Sequence, residues 1–343
     1  MLIGDSGKKL KLRGRKGEQM KTIKTRTGKI YCDTKKRLEF LSVGDYGKSN
    51  NIKASFLGLE KPIHGVTHRE VDLSEKWVAT ISTQKGCPMR CAFCDVPAYG
   101  FYGNCSISDL EYQVKHIIIN EDVKHTKRFN LHYARMGEPT YNEDVLRFTS
   151  DYLDKIVNKY ILADTIHPVI STMLPKHTLV DSFIMSWCNI KNTRRSGEAG
   201  LQFSINSTDE EQRNRQFNKA SHSLSKISDI ADKMPYPIGR KYTLNFAVTE
   251  DTILDAKKLT SMFDKEKFIV KITPIHKTSS ADKNGFNVST TYQSYDVYQK
   301  FEEPLLEEGW DVIVFVPSKE EDEDRITCGN AILSQTRSSN KGV

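Results

Sequence analysis

Apolar and polar positions alternate in two different rhythms along the central part of the chain. Short apolar runs rich in Val, Ile, Leu and Phe recur between stretches in which apolar residues return every three or four positions. The first pattern is typical of buried strands and the second of amphipathic helices. Strands are predicted at residues 77–84, 129–134, 168–173, 201–206, 242–248, 268–274 and 312–316. Helices are predicted at residues 108–120, 143–160, 179–189, 253–263 and 292–308, with further helices within 210–234.

The regular order of strand, helix and strand predicts an α/β protein with a parallel sheet and helices outside it. Six such units that close partway form a partial (β/α)6 barrel. Functional sites in such barrels lie at the carboxyl ends of the strands. Residues 30–76 have short apolar runs and turns at Gly44-Asp45 and Gly58, which predict a small β-rich extension before the barrel.

The chain has 343 residues, of which 38% are hydrophobic and 28% are charged. These proportions are ordinary for a globular protein. No apolar run approaches the roughly 20 residues that span a bilayer, and the N-terminus lacks the apolar core of a secretory signal. The seven cysteines, an odd number, favour a reducing compartment. We therefore expect a cytoplasmic protein with no membrane partner.

Positive charge is concentrated at the N-terminus. The net charge is +7, and residues 1–29 carry ten Lys or Arg against Asp5 and Glu18. This range is predicted to be a basic flexible tail, which either contacts nucleic-acid phosphates or serves only as a solvated tail. The predicted organisation is thus a tail at 1–29, an extension at 30–76, a barrel at 77–318 and a C-terminal segment at 319–343.

Cys87, Cys91 and Cys94 form a CxxxCxxC motif directly after the first predicted strand. Zinc sites usually combine paired CxxC or Cys/His elements into four ligands, and no second pair is present here. Simple buried thiols are the other alternative. The spacing favours a [4Fe–4S] cluster, in which three thiolates leave one iron open to a further ligand.

This motif, with Phe93 before the third cysteine, resembles that of the radical S-adenosylmethionine (SAM) superfamily. In that superfamily SAM chelates the open iron, and an electron from the cluster cleaves SAM to a 5′-deoxyadenosyl radical. Polar residues also follow successive predicted strands, and together they suit a bound nucleoside and amino acid, although each hydroxyl alone is more typical of a helix cap. The candidates for SAM binding are Gly137, Glu138, Ser171, Ser204, Asn206 and His276.

Further motifs indicate which branch of the radical SAM superfamily the chain resembles. They are the run Met136-Gly137-Glu138-Pro139, the strand end Ser204-Ile205-Asn206, Arg213, and the acidic stretch Asp322-Glu323-Asp324 followed by Cys328-Gly329. The chain resembles the RlmN and Cfr branch of radical SAM enzymes, which has Ser-Leu-His at the strand end. That branch methylates an adenine of ribosomal RNA and, for RlmN, of some tRNAs.

The resemblance implies a catalytic role for Cys328. In the family one SAM methylates the C-terminal cysteine, and the radical from a second SAM takes a hydrogen atom from its S-methyl group. The resulting carbon radical adds to an electron-poor adenine carbon. The resemblance also implies RNA as partner and a flavodoxin-type electron donor, and we expect a monomer.

In the family the RNA becomes joined to the enzyme through a thioether, and a second cysteine, seven residues before the first cluster cysteine, attacks this thioether and releases the product. The chain departs from the family at that position. Thr80 occupies that position. Cys105 is our first candidate for a replacement thiol and Cys32 the second, although each is individually more typical of an inert structural cysteine.

The resemblance also implies a general base that removes the adenine proton. We predict that this base is Glu70, with Glu60 and His68 less favoured. The family also carries a longer helical RNA-binding domain before the β-extension, where this chain has only a short basic tail and a few strands. Two alternatives therefore stay open. Besides an RNA adenine methyltransferase, the protein could be a radical SAM enzyme that modifies another nucleotide or a small molecule, or a non-catalytic iron–sulfur protein of the same fold.

Overall fold

A computed structural model describes the chain at residues 20–44, 51–61, 63, 66, 71–286 and 294–336. An 11-stranded mixed sheet forms its centre, and two further strands pair separately. Within these ranges no helix combines the length and the apolar character needed to cross a membrane.

Seven consecutive strands of the large sheet are parallel, and they are joined by crossovers that contain helices. The parallel strands are β5 Trp77–Thr80, β8 His125–Tyr133, β9 Leu162–Thr172, β10 Gly200–Ser204, β11 Tyr242–Val248, β12 Phe268–Pro274 and β13 Val312–Phe315. The separate pair is β6 Gln84–Gly86 and β7 Phe101–Asn104. This arrangement confirms the predicted α/β class.

The helices of the described residues are α1 Val96–Tyr99, α2 Ile107–Ile119, α3 Asp144–Arg147, α4 Leu153–Asn158, α5 Val180–Asn189, α6 Glu210–Gln216, α7 Leu224–Lys233, α8 Ala256–Met262, α9 Ser279–Lys283, α10 Asp296–Glu307, α11 Lys319–Glu323 and α12 Leu333–Thr336. Seven of them contribute buried apolar residues to the main core, namely α2, α3, α4, α5, α7, α8 and α10. Alternate residues of each strand face this core, as Phe129, Leu131 and Tyr133 do on β8.

The single helix predicted at 143–160 differs in the structure. A π-helical segment, Phe148–Tyr152, separates α3 from α4. The Arg195 guanidinium donates to the Thr149 carbonyl. That carbonyl therefore has a partner outside the regular α-helical ladder, which is where a wider turn is accommodated.

The N-terminal strands extend the sheet at both edges. They are β1 Met20–Lys24, β2 Gly28–Asp33, β3 Leu38–Gly44 and β4 Ile52–Lys53. β1, β2 and β3 form an antiparallel meander that joins β5, whereas β4 joins β13 at the opposite edge. The sheet thus begins at Met20, inside the range for which the sequence predicted a flexible tail.

The connection between β3 and β4 shows that the sheet is curved. Eight strand spacings separate these two strands, and in a flat sheet they would lie about 38 Å apart. Only eight residues lead from Gly44 to Ile52, which reach about 29 Å at most. The two edges must therefore bend toward each other, as they do in a partial barrel.

Candidate functional site

The three-cysteine loop is held between β6 and α1, at the carboxyl end of β5. The backbone of Gly86 approaches Gly100 so closely that a Cβ at Gly86 would lie 1.8 Å from the Gly100 oxygen. The Cys87 amide donates to the same oxygen at 3.1 Å. A glycine at position 86 thus lets the pair β6–β7 close the base of the loop.

The three loop thiols are free and half-buried. Burial raises the pKa of Cys87 to about 12, and burial together with neighbouring thiols raises the pKa values of Cys91 and Cys94 well above the usual range. A buried thiol without a nearby cation stays protonated, whereas metal coordination deprotonates it. The loop therefore presents three soft ligands, which a bound metal centre would hold as thiolates.

The chemistry of the donor set agrees with an iron–sulfur cluster. Within the described ranges, no three His, Cys, Asp or Glu side chains gather closely enough to hold a single metal ion. The loop offers three thiols, and in an iron–sulfur cluster each thiolate would bind a different iron. A tetrahedral zinc site would need a fourth ligand.

Gly137 and Glu138 lie beside this loop. The charge of Glu138 acts on the thiols of both Cys87 and Cys91. The Glu138 carboxylate accepts from the amide and hydroxyl of Thr140 at 3.2 and 2.9 Å and from the amide of Met173 at 3.1 Å. Burial raises its pKa, while these hydrogen bonds oppose the rise.

Gly137 is required for this arrangement. Its φ is +103°, and a Cβ there would lie 2.6 Å from the Gln84 Cβ. Gln84 in turn accepts from the Glu138 amide through Oε1 at 2.9 Å. The glycine thus lets the second strand end pack directly onto the segment that leads into the cysteine loop.

The other predicted SAM ligands lie at strand ends with partners of their own. Ser171 accepts from Gln202 at 3.1 Å, and Ser204 ends β10 half-buried. Asn206 has a φ of +60°, and its Oδ1 accepts from the Ala247 amide at 3.2 Å. His276 Nδ1 lies 2.9 Å from the Asp322 carboxylate, so its ring contacts the acidic stretch before Cys328.

The C-terminal segment brings Cys328 to the cysteine loop. The Asp95 amide donates to the Gly329 carbonyl at 2.9 Å, and a Cβ at Gly329 would lie 3.7 Å from the Cys94 Cα. The charge of a Cys328 thiolate would act on the Cys91 and Cys94 thiols. Cys328 is exposed to water although protein surrounds it, and this desolvation raises its pKa.

A buried ion pair fixes this segment. Arg135, just after β8, donates to Glu39 through Nε at 2.9 Å and to the Arg325 carbonyl at 3.1 Å. Glu39 also accepts from the amides of Ile332 and Leu333 at 3.0 and 2.9 Å. Sequence reasoning missed this pair, because Glu39 and Arg135 are 96 residues apart and no local motif joins them.

Asp95 was also missed, although it directly follows the third cysteine. Its carboxylate accepts from the amides of Ser279 and Ser280 at 3.2 and 2.8 Å. The Thr278 hydroxyl donates to the Phe93 carbonyl at 2.7 Å. These hydrogen bonds join the cysteine loop to the start of α9.

The predicted auxiliary residues are placed differently. Cys105 is 1% exposed within the main core, and burial raises its pKa. Cys32 is fully buried in a second cluster that includes Ala331 and Ile332 near Cys328. The structure therefore brings Cys32, rather than Cys105, toward the C-terminal segment. Glu70 and His68 lie outside the described residues, and Glu60 is exposed.

Comparison with solved structures assigns the fold to a class. The crystal structure of a radical SAM methyltransferase from Sphaerobacter thermophilus superposes with a TM-score of 0.63, covering 91% of this chain and 81% of that chain. The two sequences are 15% identical, so this likeness establishes the fold alone. No protein-family model matches the chain.

Sequence comparison finds relatives among RNA methyltransferases. The dual-specificity RNA methyltransferase RlmN of Aliarcobacter butzleri is 29% identical over 56% of this chain and 51% of its own length. A probable RlmN of Pseudothermotoga lettingae is 27% identical over 59% of this chain and 56% of its own length. RlmN of Helicobacter hepaticus is 40% identical over 79 residues, 23% of this chain and 21% of its own length. The resemblance to RlmN and Cfr is confirmed, and the match to the two longer-matching relatives spans about half of their length.

Proposed function

We propose that this protein is a radical SAM methyltransferase that methylates an adenine carbon in RNA through a methylated Cys328. The observation that carries the proposal is the position of Cys328, whose neighbour Gly329 is hydrogen-bonded to the cysteine loop. The thiol itself is exposed, and its charge would act on the thiols of Cys91 and Cys94. The RNA methyltransferase relatives support RNA as the substrate.

In this proposal Cys87, Cys91 and Cys94 hold a [4Fe–4S] cluster, which when bound supplies the electron that cleaves SAM to a 5′-deoxyadenosyl radical. Glu138, buried beside Cys87, accepts hydrogen bonds from the SAM ammonium. Gly137 provides the close backbone approach that this requires.

The remaining predicted ligands support the same pocket. Ser171 and Ser204 present hydroxyls at neighbouring strand ends, and Asn206 shapes the turn after β10. His276 holds Asp322 and thereby positions the stretch before Cys328. A flavodoxin-type electron donor, a monomeric state and a cytoplasmic location complete the proposal.

The fate of the RNA–enzyme thioether separates this proposal from its alternative. Thr80 pairs in register with His132 on β8 and offers no thiol. Cys105 lies in the core, and Glu70 remains a predicted general base. The alternative is a radical SAM enzyme of the same fold that modifies another nucleotide or a small molecule without a resolving cysteine.

The test is mass spectrometry of anaerobically reconstituted protein after incubation with SAM and reductant. We expect a methyl group on Cys328 in the wild type. Cys94→Ala should lose cluster iron and the methyl group, whereas Cys188→Ala, which removes a core thiol, should keep both. An unmodified Cys328 with accumulating 5′-deoxyadenosine would reject the methyl-carrier role and favour the alternative.

The variant Cys105→Ala tests the replacement thiol with the same assay and an adenine-containing RNA. If Cys105 resolves the thioether, Cys328 becomes methylated but RNA stays attached to the enzyme. If RNA is released as in the wild type, Cys105 is only a core residue, and Cys32→Ala is the next variant.

A further inference from the structure

A surface groove lies between α2 and α4, which contact each other. Its first part has a volume of about 440 Å³ and its second part a volume of about 380 Å³. Lys159 and Tyr160 line both parts, so the two form one continuous groove. We call it the lysine groove, and its lysine and tyrosine side chains are Tyr112, Lys115, Lys124, Lys155, Lys159 and Tyr160.

The groove runs between the two ends of the barrel. The side chain of Gln113 on α2 exchanges hydrogen bonds of 2.8 and 2.9 Å with the backbone of Ser82, just after β5. This part of α2 therefore lies at the carboxyl end of β5, where the cysteine loop follows. At the other end, the Leu162 amide donates to the Lys124 carbonyl at 2.9 Å, where β9 begins, and both residues line the groove.

Positive charge prevails in this groove. The side chains of Lys115, Lys155 and Lys159 are exposed. In the described part of the chain, none of these three has a carboxylate oxygen within 4.0 Å. Among the described residues that line the groove, Glu111 is the one carboxylate. The groove thus offers several cations that are free to bind an anionic partner.

Other carboxylates on the two helices are paired with cations outside the groove. Asp109 on α2 lies 2.9 Å from the Lys85 ammonium. Asp154 on α4 lies 2.5 Å from the Arg195 guanidinium. Because these partners hold them, the two acids are not available to neutralise the groove lysines.

Two tyrosine rings lie among these lysines. The ammonium groups of Lys115 and Lys159 lie 5.8 and 5.6 Å from the ring centroid of the half-buried Tyr160. The Tyr112 hydroxyl donates to Asp33 at 2.8 Å, which fixes this ring in the wall of the groove. Cations interleaved with aromatic rings are typical of surfaces that bind single-stranded nucleic acid, whose phosphates contact the cations while bases stack on the rings.

We propose that the lysine groove binds a single-stranded segment of the substrate RNA that flanks the modified adenine. The lysines bind phosphates, and a base stacks on Tyr160. An acidic protein would match the charge, but it would not account for the tyrosine rings. This inference rests on the proposed RNA substrate, and it adds an RNA contact surface separate from the site at Cys328.

The test measures binding of a fluorescein-labelled single-stranded oligoribonucleotide by fluorescence anisotropy at several salt concentrations, without SAM or reductant. One variant combines Lys115→Gln with Lys159→Gln, and a second is Tyr160→Leu. The matched control combines Lys233→Gln with Lys257→Gln, which removes two exposed charges from α7 and α8. Unlabelled polyglutamate serves as a competitor. Circular dichroism verifies that each variant is folded.

We expect the Lys115→Gln and Lys159→Gln double variant to bind RNA about fivefold or more weakly, because each exposed ion pair contributes up to about this factor. The slope of log affinity against log salt should fall in magnitude by about 1.4, since each phosphate contact to a single strand contributes about 0.7. Tyr160→Leu should weaken binding by a similar factor without changing the slope, because stacking neutralises no phosphate. The control should stay within about twofold of the wild type.

Equal RNA binding by the wild type and the groove double variant would overturn the proposal, as would the absence of binding to the wild type. An equal loss in the groove and control double variants would also overturn it, since the effect would then be one of general charge. Effective competition by polyglutamate together with unchanged binding in Tyr160→Leu would indicate a site for acidic proteins instead. Because no turnover is needed, these results are independent of whether Cys328 becomes methylated.

Discussion

At the scale of single residues, the structure gives a direct reason for the glycine at position 137. Its backbone lies against Gln84 with a φ of +103°, and Glu138 follows at once. Sequence reasoning identified Gly137 and Glu138 from a four-residue motif. The physical reason for the glycine, a contact with a segment 53 residues earlier, was visible only in the structure.

We expect Gly137→Ala to lower the free energy of unfolding by about 1–3 kcal/mol more than Gly103→Ala. Both glycines have positive φ, so both substitutions carry backbone strain. Only at Gly137 does the new Cβ meet another atom, at 2.6 Å, whereas nothing lies within 4 Å at Gly103. Urea denaturation measures the difference. Equal losses for the two variants would show that Gln84 yields without cost.

At the scale of single elements, the short helix α11 directly precedes the segment that carries Cys328. A capping box joins Ser318 and Glu321, and His276 contacts Asp322 in the same helix. The sequence identified the acidic stretch as a family motif. It did not show that Glu321, just before this stretch, would be buried, because burial depends on the elements packed around the helix.

Glu321 makes the stability of this region dependent on pH. Burial, with added repulsion from Asp322 and Glu320, raises its pKa to about 8. Because the folded protein holds this proton more tightly than the unfolded chain, the stabilisation is full below about pH 4.5 and is lost as the pH rises toward 8.

We therefore expect Glu321→Gln to gain about 1 kcal/mol or more relative to the wild type between pH 5 and pH 8, measured by urea denaturation at both values. The control is Glu323→Gln on the same helix. A hydrogen bond from Arg26 holds the pKa of Glu323 below its usual value, so Glu323 titrates below this window. A pH-independent difference for Glu321→Gln would contradict the assignment.

At the scale of the whole molecule, the N-terminal strands hold the C-terminal segment in place. Glu39 on β3 binds Arg135 and the amides after Cys328. Thr27 donates to Asp324 through its amide and hydroxyl at 3.0 and 2.8 Å. The extension that the sequence predicted as a separate β-rich piece thus contacts the segment that carries Cys328.

We expect Arg135→Met to lower the free energy of unfolding by about 3–5 kcal/mol, because it leaves the fully buried Glu39 carboxylate without its cation. Hydrogen exchange should accelerate at residues 325–333 before the rest of the sheet. The matched control Lys127→Met breaks the exposed pair with Glu75 and should change stability little. Unchanged exchange at 325–333 would show that the ion pair does not hold the segment.

The sequence alone determined the order of the parallel strands, the α/β class and the three-cysteine loop. These features depend on apolar periodicity and on residues within a few positions of one another. Such local patterns can be recognised from the sequence alone. The π-helical segment was missed, and the contact that its Thr149 carbonyl makes, with Arg195, joins positions 46 residues apart.

Only the tertiary structure decided the place of Cys328 beside the loop and the pairing of Glu39 with Arg135. Each depends on contacts between segments that are far apart in the sequence, and not on any local pattern. The cysteine loop can thus be predicted from a local motif, whereas the residues packed around it are brought there by long-range contacts.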